Sequence, residues 1–177
     1  MRTPARELST LARALDTFLR DNDGSALVES ALLVPLLFVL LFGVYEFSWF
    51  FYQQHLASVG VRDAARYLAR ASSPCDEGSA AWSIEQVYAS NLATTGSIRG
   101  NAARVKGWTP AMVMLRCTAV NNPAGPTGLP AYRGGEVVYV ITASTSFADP
   151  SLGFFAFLHL ATPVISVSHS ERATGPG

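Results

Sequence analysis

The sequence predicts a membrane-anchored α+β protein. In this fold a long N-terminal transmembrane helix continues into a small exported domain with a short helix and an antiparallel sheet of about three strands. Two patterns predict it. Residues 30–45 form a run of sixteen residues without a charge, which is typical of a membrane span. Residues 137–147 show the alternation of side chains that is typical of a sheet with one buried face.

The transmembrane helix is predicted at residues 25–46. The uncharged run and Ala26–Val28 together give about 20 residues, interrupted only by Glu29. A helix rises ~1.5 Å per residue, so this length matches the ~30 Å hydrocarbon core of a bilayer. A carboxylate at the centre of a span costs roughly 2.5–3.5 kcal/mol, and less near the interface. We therefore expect Glu29 either to reach the headgroups or to pair with an opposite charge.

Residues 1–24 are predicted to be a cytoplasmic leader. They carry four arginines, and their leucines recur at helical spacing, so the leader can lie on the inner membrane surface as an amphipathic helix. Basic residues on this side favour a cytoplasmic N-terminus. A secretory signal peptide is the competing interpretation, but its apolar region runs only ~7–15 residues. Apolar and aromatic residues here continue to Tyr52, which favours a retained anchor.

A helical period continues beyond the span. It predicts one continuous helix over about residues 26–71, of which residues 47–72 lie outside the membrane. Pro35 removes a backbone hydrogen bond and is predicted to bend this helix within the span. Three charged residues of the outer part are candidates for contacts between helices, with a solvated face as the alternative: Arg62, Asp63 and Arg66.

Residues 73–177 are predicted to form the exported domain. Ser72-Ser73-Pro74 ends the long helix, and residues 80–95 form a second helix that ends at Gly96. The apolar segment 151–160 belongs either to the core or to an exposed partner site. We expect the sheet to pack on the outer half of the long helix. Its strands are predicted at residues 111–120, 137–147 and 164–170.

Neither composition nor motifs indicate catalysis. The 13 basic and 13 acidic residues include no basic block, so nucleic-acid binding has no basis. The P-loop, Gly-x-Ser-x-Gly and Gly-x-Gly-x-x-Gly are absent, and His55, His159 and His169 lie in no nucleophile pattern. The cysteines and histidines lack the short paired spacings of structural zinc. We expect no enzyme activity, metal or cofactor, and we interpret Glu46 as an acid at the membrane interface.

Gly24 is followed five residues later by Glu29, directly ahead of the apolar run, and this arrangement resembles the processing site of a type IV prepilin. The longer string GSALVESALLVPLLFVLLFGVYEF, with VRDAARYLARA after it, resembles the TadE-like family of pseudopilins from tight-adherence (Flp-type) pilus systems. The resemblance implies that a prepilin peptidase cuts between Gly24 and Ser25. It also implies that Glu29 pairs with the N-terminal amine of a neighbouring subunit, the opposite charge that a buried carboxylate needs.

The resemblance implies a structural function. The chain would be a minor pilin-like subunit in the assembly of tight-adherence pili or of a related secretion machine. Its partners would be the prepilin peptidase, other pilin or pseudopilin subunits, the inner-membrane assembly platform and the lipid bilayer. It would cross the bacterial inner membrane once, with a cytoplasmic N-terminus and a periplasmic domain. The alternative is a signal-anchored periplasmic module that binds a ligand or partner and is unrelated to pili.

Both cysteines, Cys75 and Cys117, follow the predicted span. If they lie in the periplasm, the oxidising conditions there permit a disulfide between them. Closing a loop of about 43 residues would stabilise the fold by roughly 4 kcal/mol in the chain-entropy model. The alternative is two independent buried thiols.

Overall fold

The computed structural model describes residues 23–72, 74–132 and 135–175. The amphipathic helix predicted for the leader lies outside these residues. The chain divides into two compact units, the first ending at Tyr45 and the second beginning at Glu46. Within the described residues the first unit is helical throughout, whereas the second combines helices with a sheet.

Three helices and three strands make up the described part of the chain. The longest helix, α1, runs over Asp23–Ala69, α2 over Ala80–Thr95, and the short α3 over Gly153–Phe157. The strands are β1 (Val113–Asn121), β2 (Val137–Ala148) and β3 (Val164–Arg172), with a 3₁₀ turn at Pro110–Met112 before β1. These elements confirm the predicted α+β fold. The predicted helix and strand bounds differ from the observed ones by up to three residues, and α3 is an additional element.

The strands form one antiparallel sheet in the order β1-β2-β3. In the register of this sheet Cys117 pairs with Ile141, and Ala143 pairs with His169. Successive side chains of a strand point to opposite faces. Every second residue over the middle of β2 is accordingly buried: Ile141, Ala143, Thr145 and Phe147. This is the pattern from which the strand was predicted.

The core of the second unit lies between the later part of α1, α2 and the sheet. One face of α1 supplies its buried residues at helical spacing: Ala57, Val61, Ala64, Ala65 and Leu68. From α2 come Trp82, Ala89 and Ala93. The sheet adds Val113, Ile141, Ala143, Phe147 and Ile165. Because many of the helical residues are alanines, the helix backbones approach closely, and the sheet packs on the outer half of α1 as predicted.

Trp108 connects the loop after α2 to the sheet. Its side chain is almost wholly buried, and its ring stacks on that of Phe147 with centroids 5.6 Å apart. The indole Nε1–H donates a hydrogen bond of 3.0 Å to Thr145 Oγ1. Thr145 Oγ1 in turn donates to the Met112 carbonyl oxygen at 2.8 Å. These buried polar groups of Trp108 and Thr145 therefore keep hydrogen-bond partners.

The ends of the helices carry local signals that the sequence contains. Ser79 Oγ accepts a hydrogen bond from the Ala81 N–H at the start of α2. Gly96 ends α2 in the left-handed conformation, with φ of 77°, and its N–H donates to the Leu92 carbonyl oxygen. The N–H groups of Thr174 and Gly175 both donate to the Ala69 carbonyl oxygen, so the segment after β3 caps the end of α1.

A disulfide joins Cys75 to Cys117, with Cα atoms 5.7 Å apart. The structure thus contains the bond that the sequence permitted, and not two separate thiols. Cys75 follows α1 and Cys117 lies in β1 on the side of the sheet that faces the core. The bond therefore fixes the segment after α1 to the sheet.

Candidate functional site

The apolar half of α1 presents its side chains at the surface of the first unit. All described side chains from Gly24 to Phe42 are exposed, and Leu27 and Leu32 keep more than 70% of their surface. Monomeric soluble proteins rarely expose contiguous apolar patches larger than a few hundred Å². Within the described residues α1 is the one helix long and apolar enough to cross a membrane. This part of α1 is therefore a candidate membrane anchor.

The predicted processing site lies at the start of α1. The helix α1 is described from Asp23, so the peptide bond between Gly24 and Ser25 lies within it. Both residues are exposed. Among the described residues, apart from its own helix turn, no atom lies within 4 Å of the space that a Cβ at Gly24 would occupy.

Glu29 and Pro35 both lie within the exposed apolar half of α1. Glu29 is exposed and lies four residues after Ser25, so the two residues share one helix face. An amine created at Ser25 would therefore lie on the same face as this carboxylate. Pro35 lies inside α1, which continues through it. Since proline has no N–H, the carbonyl group four residues earlier lacks its usual helical donor. The bend predicted at Pro35 stays a prediction.

Glu46 is the first residue of the second unit, and its side chain is only 6% exposed. Its two carboxylate oxygens accept hydrogen bonds from the N–H groups of Phe154, at 2.7 Å, and of Phe155, at 2.9 Å. These N–H groups belong to the first turn of α3, where a helix leaves its donors unpaired and favours a negative charge. The interpretation of Glu46 as only an acid at the membrane interface therefore missed its structural role.

Two further contacts link the same part of α1 to the segment around α3. The rings of Phe47 and Phe155 meet edge to face, with centroids 5.1 Å apart. The Trp49 Nε1–H donates to Ser151 Oγ at 2.9 Å. Ser151 Oγ donates to Asp149 Oδ1 at 2.6 Å. Together with the Glu46 carboxylate, these contacts hold residues 149–155 beside the first turn of α1 that follows the unit boundary.

Residues 151–160, predicted to be either core or an exposed partner site, are partly buried and partly exposed. Phe154, Phe155 and Leu158 are half-buried. Phe157 and Leu160 are exposed, retaining 74% and 55% of their surface. One side of this segment therefore packs on the domain, and the other side presents apolar groups outward.

The three charged residues predicted to make contacts between helices have different surroundings. Asp63 Oδ2 accepts a hydrogen bond of 3.1 Å from Arg104, so it pairs with the loop after α2. The Arg104 N–H donates to the Thr94 carbonyl oxygen at 2.7 Å, which holds this loop on the end of α2. Arg62 and Arg66 are exposed. The structure therefore brings Asp63 to a partner within the domain and leaves the two arginines at the surface.

An open cavity of about 540 Å³ lies between α1 and α2. Its lining includes Asp63, Arg66, Tyr67 and Glu85. The pKa of the Tyr67 hydroxyl is raised from 10.0 to about 12, mainly by burial and then by the hydrogen bond and negative charge of Glu85. In the described part of the chain, no three His, Cys, Asp or Glu side chains are grouped so that they could hold a metal ion.

Sequence reasoning missed three residues that shape the domain: Glu46, Gly60 and Arg104. Their partners lie 33 to 109 residues away along the chain. A Cβ at Gly60 would overlap the carbonyl oxygen of Ala93 in α2. The one signal available beforehand was an acid at the end of an apolar run, which marks Glu46 but not its partner.

The fold and the exposed helix together define the class of protein. It is a small α+β domain preceded by an apolar helix that can serve as a membrane anchor. Residues 24–66 match the family model described as TadE-like protein. The matched segment begins at Gly24 and ends within α1, so it covers the exposed apolar half of this helix and most of its packed half.

The TadE-like family is a structural, pilus-associated family. The match covers α1 and none of the sheet. No curated protein and no solved structure matches the chain significantly.

Proposed function

We propose that this chain is a pseudopilin, a minor pilin-like structural subunit that acts in the assembly of tight-adherence pili or of a related secretion machine. The observation that carries this proposal is the TadE-like match over residues 24–66. It coincides with a helix whose first half exposes its apolar side chains. Such a helix gains stability only where lipid or neighbouring helices cover it.

The anchor is proposed to cross the bacterial inner membrane once, with its N-terminus in the cytoplasm and the second unit in the periplasm. Four arginines ahead of the span favour this orientation. The disulfide between Cys75 and Cys117 supports it as well, because disulfides persist in oxidising compartments.

Processing is proposed to occur between Gly24 and Ser25, by a prepilin peptidase. The new amine at Ser25 and the carboxylate of Glu29 share one face of α1, as their spacing of four residues requires. In an assembly of parallel helices this carboxylate would pair with the amine of a neighbouring subunit. An unpaired charge surrounded by apolar helices would be far more costly.

Assembly is proposed to proceed through lateral packing of the apolar halves of α1 from several subunits, on an inner-membrane assembly platform. Arg62 and Arg66 are exposed on the packed half of α1, where they are available to acidic groups of a neighbour. In this proposal the chain acts through binding and requires no catalytic group, metal or cofactor.

The test is the N-terminal mass of the protein purified from membranes, with and without the cognate prepilin peptidase. We expect a chain that begins at Ser25 only when the peptidase is active. Gly24→Val should block this cleavage, because a β-branched side chain then occupies the cleavage site. Gly43→Val is the matched control, since it places the same side chain in the same helix away from that site, and it should be processed normally.

A chain that still begins at Met1 in the presence of active peptidase would contradict the proposal. The signal-anchored binding module would then become the leading function. That alternative also expects Glu29→Gln to leave function intact, whereas a pseudopilin should lose pilus assembly when the carboxylate is neutralised.

A further inference from the structure

The segment around α3 is apolar, partly exposed and free of Asp, Glu, Lys and Arg side chains. Residues 150–163 contain no Asp, Glu, Lys or Arg. Phe157 and Leu160 nevertheless keep 74% and 55% of their surface exposed. The rings of Phe154 and Phe157 stack with centroids 6.2 Å apart, so the exposed aromatic group is part of an ordered pair.

This segment is fixed to α1 by three different kinds of contact. Glu46 accepts two backbone hydrogen bonds from α3, Phe47 packs on Phe155, and Trp49 donates to Ser151. Hydrogen bonds to a charged acceptor are roughly twice as strong as neutral ones. A carboxylate as deeply buried as Glu46 also needs these donors, because without them its charge would be buried and unpaired. The position of α3 relative to residues 46–49 is therefore well determined.

The position along α1 places this junction at the edge of the bilayer. The apolar run ends at Tyr45, and residues 46–49 rise by only ~4.5 Å along a helix. The headgroup layer on each side of a bilayer is roughly 5–7 Å thick, from the difference between the total thickness and the hydrocarbon core. Exposed aromatic residues of α1 lie at this junction and just beyond it: Phe47, Phe51 and Tyr52. Aromatic residues are enriched in this layer.

We propose that the segment from Gly153 to Leu160 binds the outer surface of the bilayer that α1 crosses, with Phe157 and Leu160 inserted at the boundary between headgroups and acyl chains. Glu46 is the positioning residue that holds the segment at this depth. Because the segment carries no lysine or arginine, its binding depends on apolar contact and not on anionic lipid. The inference rests on the membrane anchor of the proposed function.

The test is the depth of a nitroxide spin label attached at Phe157→Cys in the full chain, reconstituted in phosphatidylcholine vesicles. Labelling is specific because both native cysteines are in the disulfide. Accessibility to oxygen, which concentrates in lipid, is compared with accessibility to a water-soluble nickel complex. We expect a ratio of oxygen to nickel accessibility several-fold higher than for a label at Val87→Cys, a matched exposed apolar position on α2.

One further label separates the possible failures. A label at Leu37→Cys reports whether α1 lies in the bilayer. If position 37 is in lipid but position 157 is as open to nickel as position 87, the surface proposal is overturned and the anchor stands. If position 37 is also in water, both are overturned. Protection of position 157 that arises only when other pilus subunits are added would likewise overturn it, in favour of a contact between subunits.

The role of Glu46 is tested in the same labelled chain. Glu46→Ala removes the acceptor of the Phe154 and Phe155 N–H groups, so the ratio at position 157 should fall towards that at position 87. Glu46→Gln keeps an acceptor oxygen, so most of the ratio of oxygen to nickel accessibility at position 157 should be retained. The label at position 87 should keep its mobility in both variants, which shows that the domain remains folded. An unchanged ratio in Glu46→Ala would overturn the positioning role.

Discussion

Gly60 sets the distance between two helices. A Cβ at this position would overlap the Ala93 carbonyl oxygen and come within 2.8 Å of the Trp108 ring. Glycine in a helix interior costs roughly 0.5–1 kcal/mol relative to alanine. The packed half of α1 tolerates this cost because the missing side chain lets the backbone of α2 lie directly on it. The contact is with a backbone atom, so it cannot be relieved by a change of rotamer.

Gly60→Ala should therefore destabilise the domain, even though alanine is the better helix former. Overpacking of a close contact typically costs about 1–3 kcal/mol, which exceeds the gain in helix propensity. The measurement is thermal unfolding of the full chain in detergent, followed by near-ultraviolet circular dichroism. Gly43→Ala is the matched control, because in the described part of the chain nothing outside its own helix turn lies within 4 Å of the added group. A Gly60→Ala variant as stable as the wild type would show that α2 is free to move away.

At the scale of whole elements, the predictable parts are those whose signals are local. Gly96 ends α2 where the sequence predicted, and the alternation of β2 matches its burial. The uncharged run at residues 30–45 is local too, so the candidate anchor could be recognised, whereas the processing site at Gly24 stays a prediction. The five-residue α3 could not be recognised from the sequence, because it is too short to show a helical period. Its first turn depends on Glu46, more than 100 residues earlier.

The contact between α1 and α2 should make the domain sensitive to alkaline pH through Tyr67. Its pKa is about 12 in the folded chain against 10.0 ordinarily, chiefly because of burial and secondly because of Glu85. A raised pKa means that folding favours the protonated hydroxyl. Its contribution to stability is therefore complete below pH 10 and is lost as the pH rises from 10 to 12.

Tyrosinate absorbance and the denaturation midpoint, both measured across this pH range, check the prediction. Tyr67→Phe should remove the tyrosine titration near pH 12 and weaken the alkaline loss of stability. Glu85→Gln should lower the pKa of Tyr67 only in part, because the burial of the ring remains. A wild-type chain whose tyrosines have all titrated well below pH 12 would contradict the assignment.

At the scale of the molecule, the end of α1 is where distant parts of the second unit meet. The disulfide ties Cys75, six residues after α1, to β1. The segment after β3 returns to the same place, where Thr174 and Gly175 donate to the Ala69 carbonyl oxygen. The end of α1 is thus bound to the first and last strands. Loss of either connection should loosen the packing of the sheet on the end of α1.

The disulfide is the connection that can be removed cleanly. Cys75→Ser with Cys117→Ser should destabilise the domain by up to about 4 kcal/mol, on the chain-entropy estimate for a loop of this length. For a domain of this size that corresponds to a fall in Tm of roughly 10–20 °C. Reduction of the wild-type chain should lower Tm by the same amount, which separates loss of the bond from an effect of the serines.

The same bond reports the compartment of the domain. Cysteine thiols are kept reduced in the cytosol, whereas disulfides persist in oxidising compartments. If the domain is exported, a thiol-alkylating reagent added to intact cells should therefore modify neither cysteine. A variant with three arginines added directly after Tyr52 should oppose export, because positive charges retain a segment on the cytoplasmic side. Its cysteines should then become alkylated. Free thiols in the wild-type chain at steady state would place the domain in the cytosol and contradict the proposed orientation of the anchor.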